Sequence, residues 1–413
     1  MMEERKVPAL RFQGFTDGWE ENKLGKMTVF SKGSGYSKSD LQDHGTPIVL
    51  YGRLYTNYEI LISHIDTFVE PKQGAVYSQG VEVIVPASGE TAEDISRASV
   101  IGRKGVIIGG DLNILYPNKL LDPVFLAITI SNGKAHEDMA KRAQGKTVVH
   151  LHNDDLAQIK LFYPSISEQK QIGVFFQKID VDILLLKNKL DKLQVFKKSM
   201  LEKMFPRPGE KVPEVRFRGF TGDWEIHELN SYLEPSKEKN TFGNYTKDDV
   251  LSVSGDFGVV NQIQFQGRSF AGASVLNYGV VHTDDIIYTK SPLKANPYGI
   301  IKTNSGMAGI VSTLYAVYRP KNGVVSKFIE CYFDDDYRLN KYLHPLVNKG
   351  AKNDMKISSE KALQGEVIFP PSIEEQLTIA QTISAIEKVI MLYQRKLEKL
   401  QSMKQAMLSE MFI

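Results

Sequence analysis

Pro164-Ser165-Ile166-Ser167-Glu168-Gln169 opens the stretch that decides the fold, and this stretch runs to Phe205. Apolar residues then recur at alternating steps of four and three, with Lys197 as the only interruption. The series is Ile172, Phe176, Ile179, Ile183, Leu186, Leu190, Leu193, Met200 and Met204. An average spacing of about 3.5 residues keeps one stripe of a helix facing a partner helix, as in a coiled coil. The pattern predicts a long helix that has Ser167 as its N-cap and ends before Pro206.

The same pattern occurs again 207 positions later, where Pro371-Ser372-Ile373-Glu374-Glu375-Gln376 opens it. Lys404 interrupts this second series at the position equivalent to Lys197. Its apolar positions are Ile379, Ile383, Ile386, Ile390, Tyr393, Leu397, Leu400, Met407 and Met411. A single apolar stripe usually marks only a core-facing helix, but two copies with the same interruption favour a helix pair. Each run predicts a rod of about 58 Å at about 1.5 Å per residue.

A repeated leader precedes each variable segment. Residues 7–24 recur as residues 212–229, so that Trp19 and Trp224, the two tryptophans of the chain, are equivalent. The shared leader positions in the first copy are Val7, Pro8, Arg11, Phe12, Gly14, Phe15, Thr16, Trp19, Glu20 and Leu24. The chain is therefore a tandem duplication, and two large copies fit a pseudo-two-fold molecule better than a solenoid.

Composition indicates an ordinary soluble protein of two or three domains. The chain has 413 residues, of which 42% are hydrophobic and 24% are charged. The single cysteine, Cys331, suits a reducing compartment, and neither a signal peptide nor a bilayer-spanning run is evident. The net charge of +2 does not by itself indicate a nucleic-acid partner.

Between leader and helix each copy contains about 140 residues with strand-like pieces between glycine, proline and asparagine turns, a usual domain size. The pieces in the first copy include residues 47–51, 81–85 and 105–108, and those in the second include residues 285–289, 299–302 and 314–318. Both segments are predicted to be α+β domains, and they match poorly outside their edges. Repeated leaders and helices that enclose two divergent segments suggest two domains that recognise two different targets.

Catalytic motifs are not convincing in this sequence. Gly145-Lys146-Thr147 ends a loose phosphate-loop pattern, but a helical segment precedes it and a strand follows, which is the reverse of the required order. The eight histidines show no metal-ligand spacing. We therefore expect a non-catalytic protein without a cofactor or metal of its own.

Basic and aromatic residues alternate at turns of both variable segments, for example in residues 51–58 and 290–298. Arginine and lysine contact phosphates or guanine edges, and asparagine can bond adenine in two places, which suits the reading of a duplex. The competing interpretation is that the tyrosines pack in a core and the charges are only solvated. The predicted DNA-binding residues are Tyr51, Arg53, Tyr55, Lys104, Lys146, Lys290, Lys294, Asn296, Lys302 and Lys352.

With both frames assembled, the sequence resembles the specificity subunit of a type I restriction-modification enzyme over its whole length. The resemblance is carried by the doubled leader (Pro8 to Trp19 and Pro213 to Trp224) and the doubled Pro-Ser-Ile-x-Glu-Gln start of the helices. Shorter phrases add to it, and these are residues 45–56, 86–91, 109–112 and 290–299.

The resemblance implies an α+β protein with two globular target recognition domains separated by two long antiparallel coiled-coil helices. The expected divisions are 1–162, the first recognition domain with its leader; 163–211, the first spacer helix and linker; 212–369, the second recognition domain; and 370–413, the second spacer helix. Each domain would read one half of a bipartite, asymmetric site in double-stranded DNA, with the helices fixing the gap between the halves.

The resemblance also implies partners. The helices would be the platform for two methyltransferase subunits, and translocase-endonuclease subunits would join that core. S-adenosylmethionine, ATP and Mg are expected on those partners, and the assembly is expected in the cytoplasm and away from membranes. The residues expected at the helix-pair and partner interface are Ile172, Phe176, Ile179, Ile183, Leu186, Leu190, Leu193, Ile379, Ile383, Ile386, Ile390, Leu397 and Leu400.

Two other functions remain open at the level of sequence. A coiled-coil adaptor whose inserts bind protein would show no salt-dependent affinity for duplex DNA. A nucleotide-binding enzyme that uses Gly145-Lys146-Thr147 would be stabilised by ATP with magnesium.

Overall fold

The computed structural model describes residues 7–145, 148–293, 296–349 and 355–412. Its internal contacts divide the chain into two units, one formed by Met1–Asn188 with Gln394–Ile413 and the other by Lys189–Tyr393. Each division falls inside a long helix, so each unit contains one variable segment and parts of both helices.

The first unit begins with an α+β arrangement. Its strands are β1 (Glu20–Lys23), β2 (Thr28–Lys32), β3 (Thr46–Val49), β4 (Leu61–Ile62), β5 (Phe68–Val69), β6 (Tyr77–Gln79), β7 (Val83–Pro86), β8 (Ser88–Gly89), β9 (Ser99–Ile101), β10 (Lys104–Ile108), β11 (Leu112–Pro117), β12 (Val149–His150) and β13 (Lys160–Tyr163). Its helices are α1 (Arg53–Thr56), α2 (Ala92–Ile95), α3 (Pro123–Ile130), α4 (Gly133–Arg142), α5 (Asn153–Ala157) and the long α6 (Ile166–Lys203), which continues past the division.

Two sheets form the core of this unit. The strand orders are β2-β11-β7-β9-β4 and β5-β3-β10-β6. All four residues of β7 are buried, because one face of the strand packs with Ile95 and Phe125 and the other lies with Ile108 and Ile114. The strands predicted near residues 47, 81 and 105 are confirmed with ends shifted by at most two residues.

The second unit repeats this plan with different elements. Its strands are β14 (Glu225–Glu228), β15 (Leu233–Pro235), β16 (Leu251–Ser254), β17 (Gly258–Asn261), β18 (Gly279–Val281), β19 (Ile286–Thr289), β20 (Ile301–Thr303), β21 (Gly309–Val311), β22 (Tyr315–Pro320), β23 (Asn348–Lys349), β24 (Met355–Lys356) and β25 (Glu366–Phe369). Its helices are α7 (Gln262–Gln266), α8 (Ser326–Phe333), α9 (Asp336–Leu343) and the long α10 (Ile373–Met411), which continues past the division.

The main sheet of the second unit has the strand order β15-β22-β19-β20. β19 lies inside it and is fully buried, and Tyr288 and Tyr318 fill the core between the sheet and α8. The strands predicted at 285–289 and 314–318 are confirmed as β19 and β22.

The two long helices pair in antiparallel fashion within each unit. In the first unit the ring of Phe176 lies 6.1 Å from that of Phe412, while Asp180, one turn later, contacts Lys404, which lies earlier in α10. In the second unit Lys189 lies 4.5 Å from the ring of Tyr393, and Lys197 contacts Glu387. The apolar positions predicted for the helix pair are all buried or half-buried.

The helix starts differ from the prediction by two residues. α6 begins at Ile166, and the Gln169 backbone N–H bonds the carbonyl of Ser165, so Ser167 lies inside the first turn and is not the N-cap. In the second repeat the hydroxyl of Ser372 accepts the Glu375 N–H at 3.2 Å. The cap is therefore the serine that follows the proline, because it precedes the first helical residue.

A buried ion pair explains the arginine of each leader and the glutamate of each helix start. Arg11 donates to both carboxylate oxygens of Glu168 at 2.6 and 2.7 Å, and Arg216 does the same to Glu375 at 2.8 and 2.9 Å. The hydrogen bond and charge of Glu168 raise the pKa of Arg11 against the effect of burial. The guanidinium fork matches a carboxylate in two places, so each pair fixes the leader on its helix.

The glutamine of each helix start fixes the neighbouring helix of its recognition domain. The amide oxygen of Gln169 accepts the N–H of Asp122, the residue that caps α3, at 2.9 Å. Equivalently, Gln376 accepts the N–H of Val325, which precedes α8, at 3.0 Å. The doubled Glu-Gln dipeptide is therefore a joint, in which one residue holds the leader and the next holds the recognition domain.

Each tryptophan packs in an equivalent aromatic cluster. Trp19 lies 5.8 Å from Phe125 and 6.4 Å from Phe412, measured between ring centroids. In the second repeat Trp224, the counterpart of Trp19, packs on Phe328 and Phe205 in the same way; both distances are 5.9 Å. Each cluster thus ties a leader to the end of one long helix and to the buried helix of its recognition domain.

Candidate nucleic-acid interface

Three of the predicted DNA-binding residues, Tyr51, Arg53 and Tyr55, lie together in the first unit. β3 leads into a turn and the short helix α1, which directs these side chains into a cavity of 1610 Å³. The cavity is also lined by residues 35–41, residues 88–90 and Arg97. A concave surface with aromatic and cationic side chains is suited to bind nucleic acid.

Tyr51 and Tyr55 differ in what they offer to a ligand. The Tyr55 hydroxyl donates to the Ser88 carbonyl at 2.8 Å, and burial raises its pKa to about 12. Tyr51 is 39% exposed and meets the ring of Tyr55 edge to face at 6.2 Å. Tyr55 therefore forms the wall of the cavity, and Tyr51 faces its opening.

Arg53 is engaged within the protein. Its guanidinium donates to Glu59 at 2.8 Å, to Asp66 at 3.1 Å and to the His64 carbonyl at 2.8 Å, and the side chain is 11% exposed. The arginine holds residues 59–66 against α1. Its predicted contact with DNA stays a prediction, and its observed contacts give it a structural function.

The sequence analysis missed Arg97, which lines the same cavity. Its guanidinium lies over the ring of Tyr55 at 5.2 Å and over that of Tyr58 at 5.9 Å, and Asp94 holds it at 2.8 Å. A cation over an aromatic face is attracted by the ring quadrupole. No local sequence signal marks Arg97, because Tyr55 lies 42 positions away.

Of the other first-repeat candidates, Lys104 does not line this cavity. Lys104 is exposed at the start of β10. Lys146 lies outside the described residues, as does Thr147. Among the described residues, Gly145 follows helix α4 and precedes β12, so the element order is the reverse of a phosphate loop, as the sequence indicated.

In the second unit the candidates are less well grouped. Lys290 follows β19 and is half-buried, and burial lowers its pKa. The amide of Asn296 donates to Asp336 at 2.8 Å and accepts from Asn340 at 3.2 Å, so it braces a loop against α9. Lys294 and Lys352 lie outside the described residues.

Lys302 does not fit the predicted contact with DNA. Its side chain is 10% exposed, and its ammonium is paired with Asp334 and lies 3.7 Å from Glu330. The sequence around Lys302 does not indicate its burial, because that burial depends on the packing of α8 against β20. The correction is that Lys302 is part of a buried ion cluster.

This ion cluster joins the second recognition domain to the helix pair. Lys197 of α6 lies 3.1 Å from Asp334 and 2.6 Å from Glu387 of α10, and Lys327 of α8 lies 2.8 Å from Glu387. Burial alone would raise the pKa of Asp334, but the ammonium groups of Lys302 and Lys197 lower it below its ordinary value.

The cluster is a poor candidate for a metal site. Carboxylate oxygens of Glu330, Asp334 and Glu387 converge within 4.8 Å. Each of them already contacts a lysine ammonium, so a cation would have to displace groups of its own sign. The chemistry of these residues therefore fits a structural function.

Comparison with known proteins agrees with this arrangement. The fold matches the crystal structure of the type I restriction-modification S subunit from M. genitalium with a TM-score of 0.63 and 13% identity, covering 98% of this chain and 99% of that one. The fold is thus that of a type I specificity subunit.

Sequence comparisons lead to the same class. Residues 16–195 match the family model of the type I restriction modification DNA specificity domain. The chain is 23% identical over 327 residues to a candidate MjaX specificity subunit of Methanocaldococcus jannaschii, covering 73% of this chain and 70% of that protein. It is 20% identical over 320 residues to the type I restriction enzyme MjaVIII specificity subunit of the same organism, covering 75% and 74%.

The family-model match, the curated relatives and the fold together indicate a type I restriction-modification DNA specificity subunit, a class that is non-catalytic within its complexes. In the part of the chain that the structure describes, no helix has both the length and the apolar character that a bilayer crossing requires.

Proposed function

We propose that this subunit reads a bipartite, asymmetric site in duplex DNA, with residues 1–162 reading one half and residues 212–369 reading the other. The observation that carries the proposal is the identical joint in both repeats. Arg11 with Glu168 and Arg216 with Glu375 hold equivalent leaders on equivalent helices, while the attached domains share the strand order of the main sheet but differ in its edge strand β4 and in their smaller sheets. Two different recognition domains that are attached in the same way to equivalent helices are what an asymmetric two-part site requires.

The two recognition domains offer different surfaces to a duplex. The first has the cavity at Tyr51. The second has an exposed aromatic group around the β16–β17 hairpin, where Phe257 and Phe265 lie 5.1 Å apart and Arg268 lies 4.5 Å from the ring of Phe270. Aromatic faces stack on bases or wedge between base steps, and arginine contacts phosphates or guanine.

The long helices are proposed to set the unread gap. α6 has 38 residues and α10 has 39, which gives each a length of about 57 Å at about 1.5 Å per residue. Half-sites one helical turn apart are separated by about 34 Å. The spacer segments, residues 163–211 and 370–413, are thus long enough to serve as the ruler.

Two methyltransferase subunits are the proposed partners of the helices. Leu184 and Leu185 are 52% and 60% exposed on α6, and Met391 and Leu392, their equivalents 207 positions later, are 44% and 65% exposed on α10. Repeated apolar side chains exposed on a helix mark an interaction surface, and their repetition fits two copies of one partner. Translocase-endonuclease subunits would join them in the cytoplasm, and S-adenosylmethionine, ATP and Mg would bind to those partners.

The experiment that tests this proposal is methylation mapping. The chain is co-expressed with a cognate methyltransferase subunit, and methylated adenines are mapped across the host genome. The expected result is a gapped motif with two defined parts. A stable purified complex that adds no methylation and shows no salt-dependent affinity for duplex DNA would contradict the proposal.

A further inference from the structure

The two-stranded sheets at equivalent places in the repeats end on residue pairs of opposite charge. In β1–β13 Lys23 lies directly opposite Lys160, and in β14–β25 Glu228 lies directly opposite Glu366. Like charges opposite each other across antiparallel strands destabilise a sheet. The directly opposed pairs therefore do not stabilise the sheets, and a ligand of opposite charge is one physical reason for the lysines.

The lysine pair lines a cavity of 590 Å³ between the two-stranded sheet and α4. Two carboxylates, Glu137 and Asp138, lie on its wall against five cationic groups, and Asp138 is paired with Arg142 at 3.2 Å. The cationic lining residues are Lys23, Lys134, Lys141, Arg142 and Lys160. The cavity therefore has an excess of positive charge, in a chain whose net charge is only +2.

Internal partners neutralise only part of this charge. Lys160 lies 2.8 Å from a carboxylate oxygen of Glu21, on the adjoining strand. The Lys23 ammonium instead donates to the amide oxygen of Gln158 at 2.7 Å, which holds it in place without adding a negative charge. Lys141 is exposed at the end of α4, so a ligand can reach it from solvent.

We propose that this cavity, the lysine pocket, binds a phosphate group. Lysine acts on phosphate as a compact point charge, and several lysines around one concave site favour an anion of high charge density. The source that we favour is the backbone of the duplex beside the first half-site, which rests on the proposed function. Because the second repeat has the acidic pair Glu228 and Glu366 at this place, the first recognition domain would bind the DNA backbone more tightly there than the second.

The test compares two variants of the full chain in complex with its methyltransferase subunit. Lys23→Gln, Lys141→Gln and Lys160→Gln are combined in one variant, and Glu228→Gln with Glu366→Gln form the matched control. Duplex affinity is measured at several salt concentrations. The lysine variant should lower the salt slope by about one to two, as expected for one or two lost phosphate contacts, while the control should not lower it.

Two further readouts separate the sources and a purely structural function. Thermal stability of the lysine variant should change little, because removal of the like-charge repulsion offsets loss of the exposed Lys160–Glu21 pair and of the Lys23–Gln158 hydrogen bond. The methylated motif should be unchanged. The thermal stability of each protein is also measured with inorganic phosphate and with ATP in the absence of magnesium. If these additives stabilise the wild type but not the lysine variant, and the salt slope of the two proteins is the same, the pocket binds a free phosphate compound. An unchanged slope together with unchanged stability in both additives would overturn the proposal. The phosphate experiment needs no DNA. It therefore tests whether the pocket binds phosphate even if the wild-type complex fails to bind duplex DNA.

Discussion

The ammonium nitrogen of Lys197 lies 2.6 Å from a carboxylate oxygen of Glu387, across the helix pair. Lys404 and Asp180, which occupy the equivalent positions of the repeat, form an ion pair as well. The polar interruption that the sequence shows in both apolar series is therefore a pair of cross-helix contacts. A charged residue inside a helix seam fixes register and orientation, and here it does so once in each repeat.

Lys197→Met should destabilise the protein more than Lys404→Met. Removing Lys197 leaves Asp334 and Glu387 short of one cation in a buried cluster, and loss of one partner of a buried pair costs about 3 kcal/mol. Among the described residues Lys404 pairs with Asp180, which is more exposed than Asp334 and Glu387, so its loss should cost about 1 kcal/mol or less. Urea denaturation of the two variants measures the difference, and equal losses would contradict the account of the cluster.

Stability should fall in acid through the same cluster. Burial opposes ionisation of Glu387, but Lys327 and Lys197 lower its pKa, and Asp334 is lowered likewise. A lowered pKa in the folded state means that the stabilisation is present above the ordinary carboxyl pKa and is lost as the pH falls through the folded value. Melting temperatures between pH 7 and pH 3 should decline less steeply in Asp334→Asn than in the wild type, whose stability at neutral pH should be higher. Parallel curves would show that the cluster does not set the acid limit.

The joint of the second repeat should behave as a buried ion pair. Among the described residues, Arg216→Met leaves the buried Glu375 carboxylate with the Trp224 indole N–H at 3.3 Å as its one remaining side-chain donor, and this should cost about 3–5 kcal/mol. The double variant Arg216→Met with Glu375→Met should recover much of that loss, because no unpaired charge remains. A double-mutant cycle in chemical denaturation gives the coupling energy. Additive losses would mean that the two side chains do not act together.

Tyr51 and Arg53 should separate recognition from folding in the first domain. Arg53→Ala removes donors to Glu59 and Asp66 and should lower stability by about 1–2 kcal/mol, with effects on DNA confined to one half-site. Tyr51→Ala should alter recognition of the same half-site and leave the melting temperature within about 1 °C, because the side chain faces the opening of the cavity. If Tyr51→Ala left both half-sites as they were, the cavity would not be the reading surface.

Periodicity and repetition predicted the parts of the fold that depend on local sequence. The seam from Ile172 and that from Ile379 are confirmed because helical period is a property of neighbouring residues. The joint was visible as a repeated Glu-Gln dipeptide, although its partners, Arg11 at 157 positions and Asp122 at 47, were not.

The candidate site was less predictable for a physical reason. Whether a cation meets solvent or a carboxylate depends on elements far away in sequence. Lys302 lies on a strand, and its partner Asp334 ends a helix 32 positions later, so composition around the lysine says nothing of its burial. The same holds for Lys23 and Lys160, whose proximity follows only from the register of β1 with β13.

Two recognition domains are proposed to act independently on one scaffold, which consists of the leaders and the long helices. Domain exchange tests this most directly. Residues 25–162 are replaced by the corresponding segment of another specificity subunit, with the leader, Glu168 and both long helices kept, and adenine methylation is mapped in the host. The account predicts that one half of the motif changes while the other half and the gap stay the same. A change in both halves, or in the gap, would contradict it.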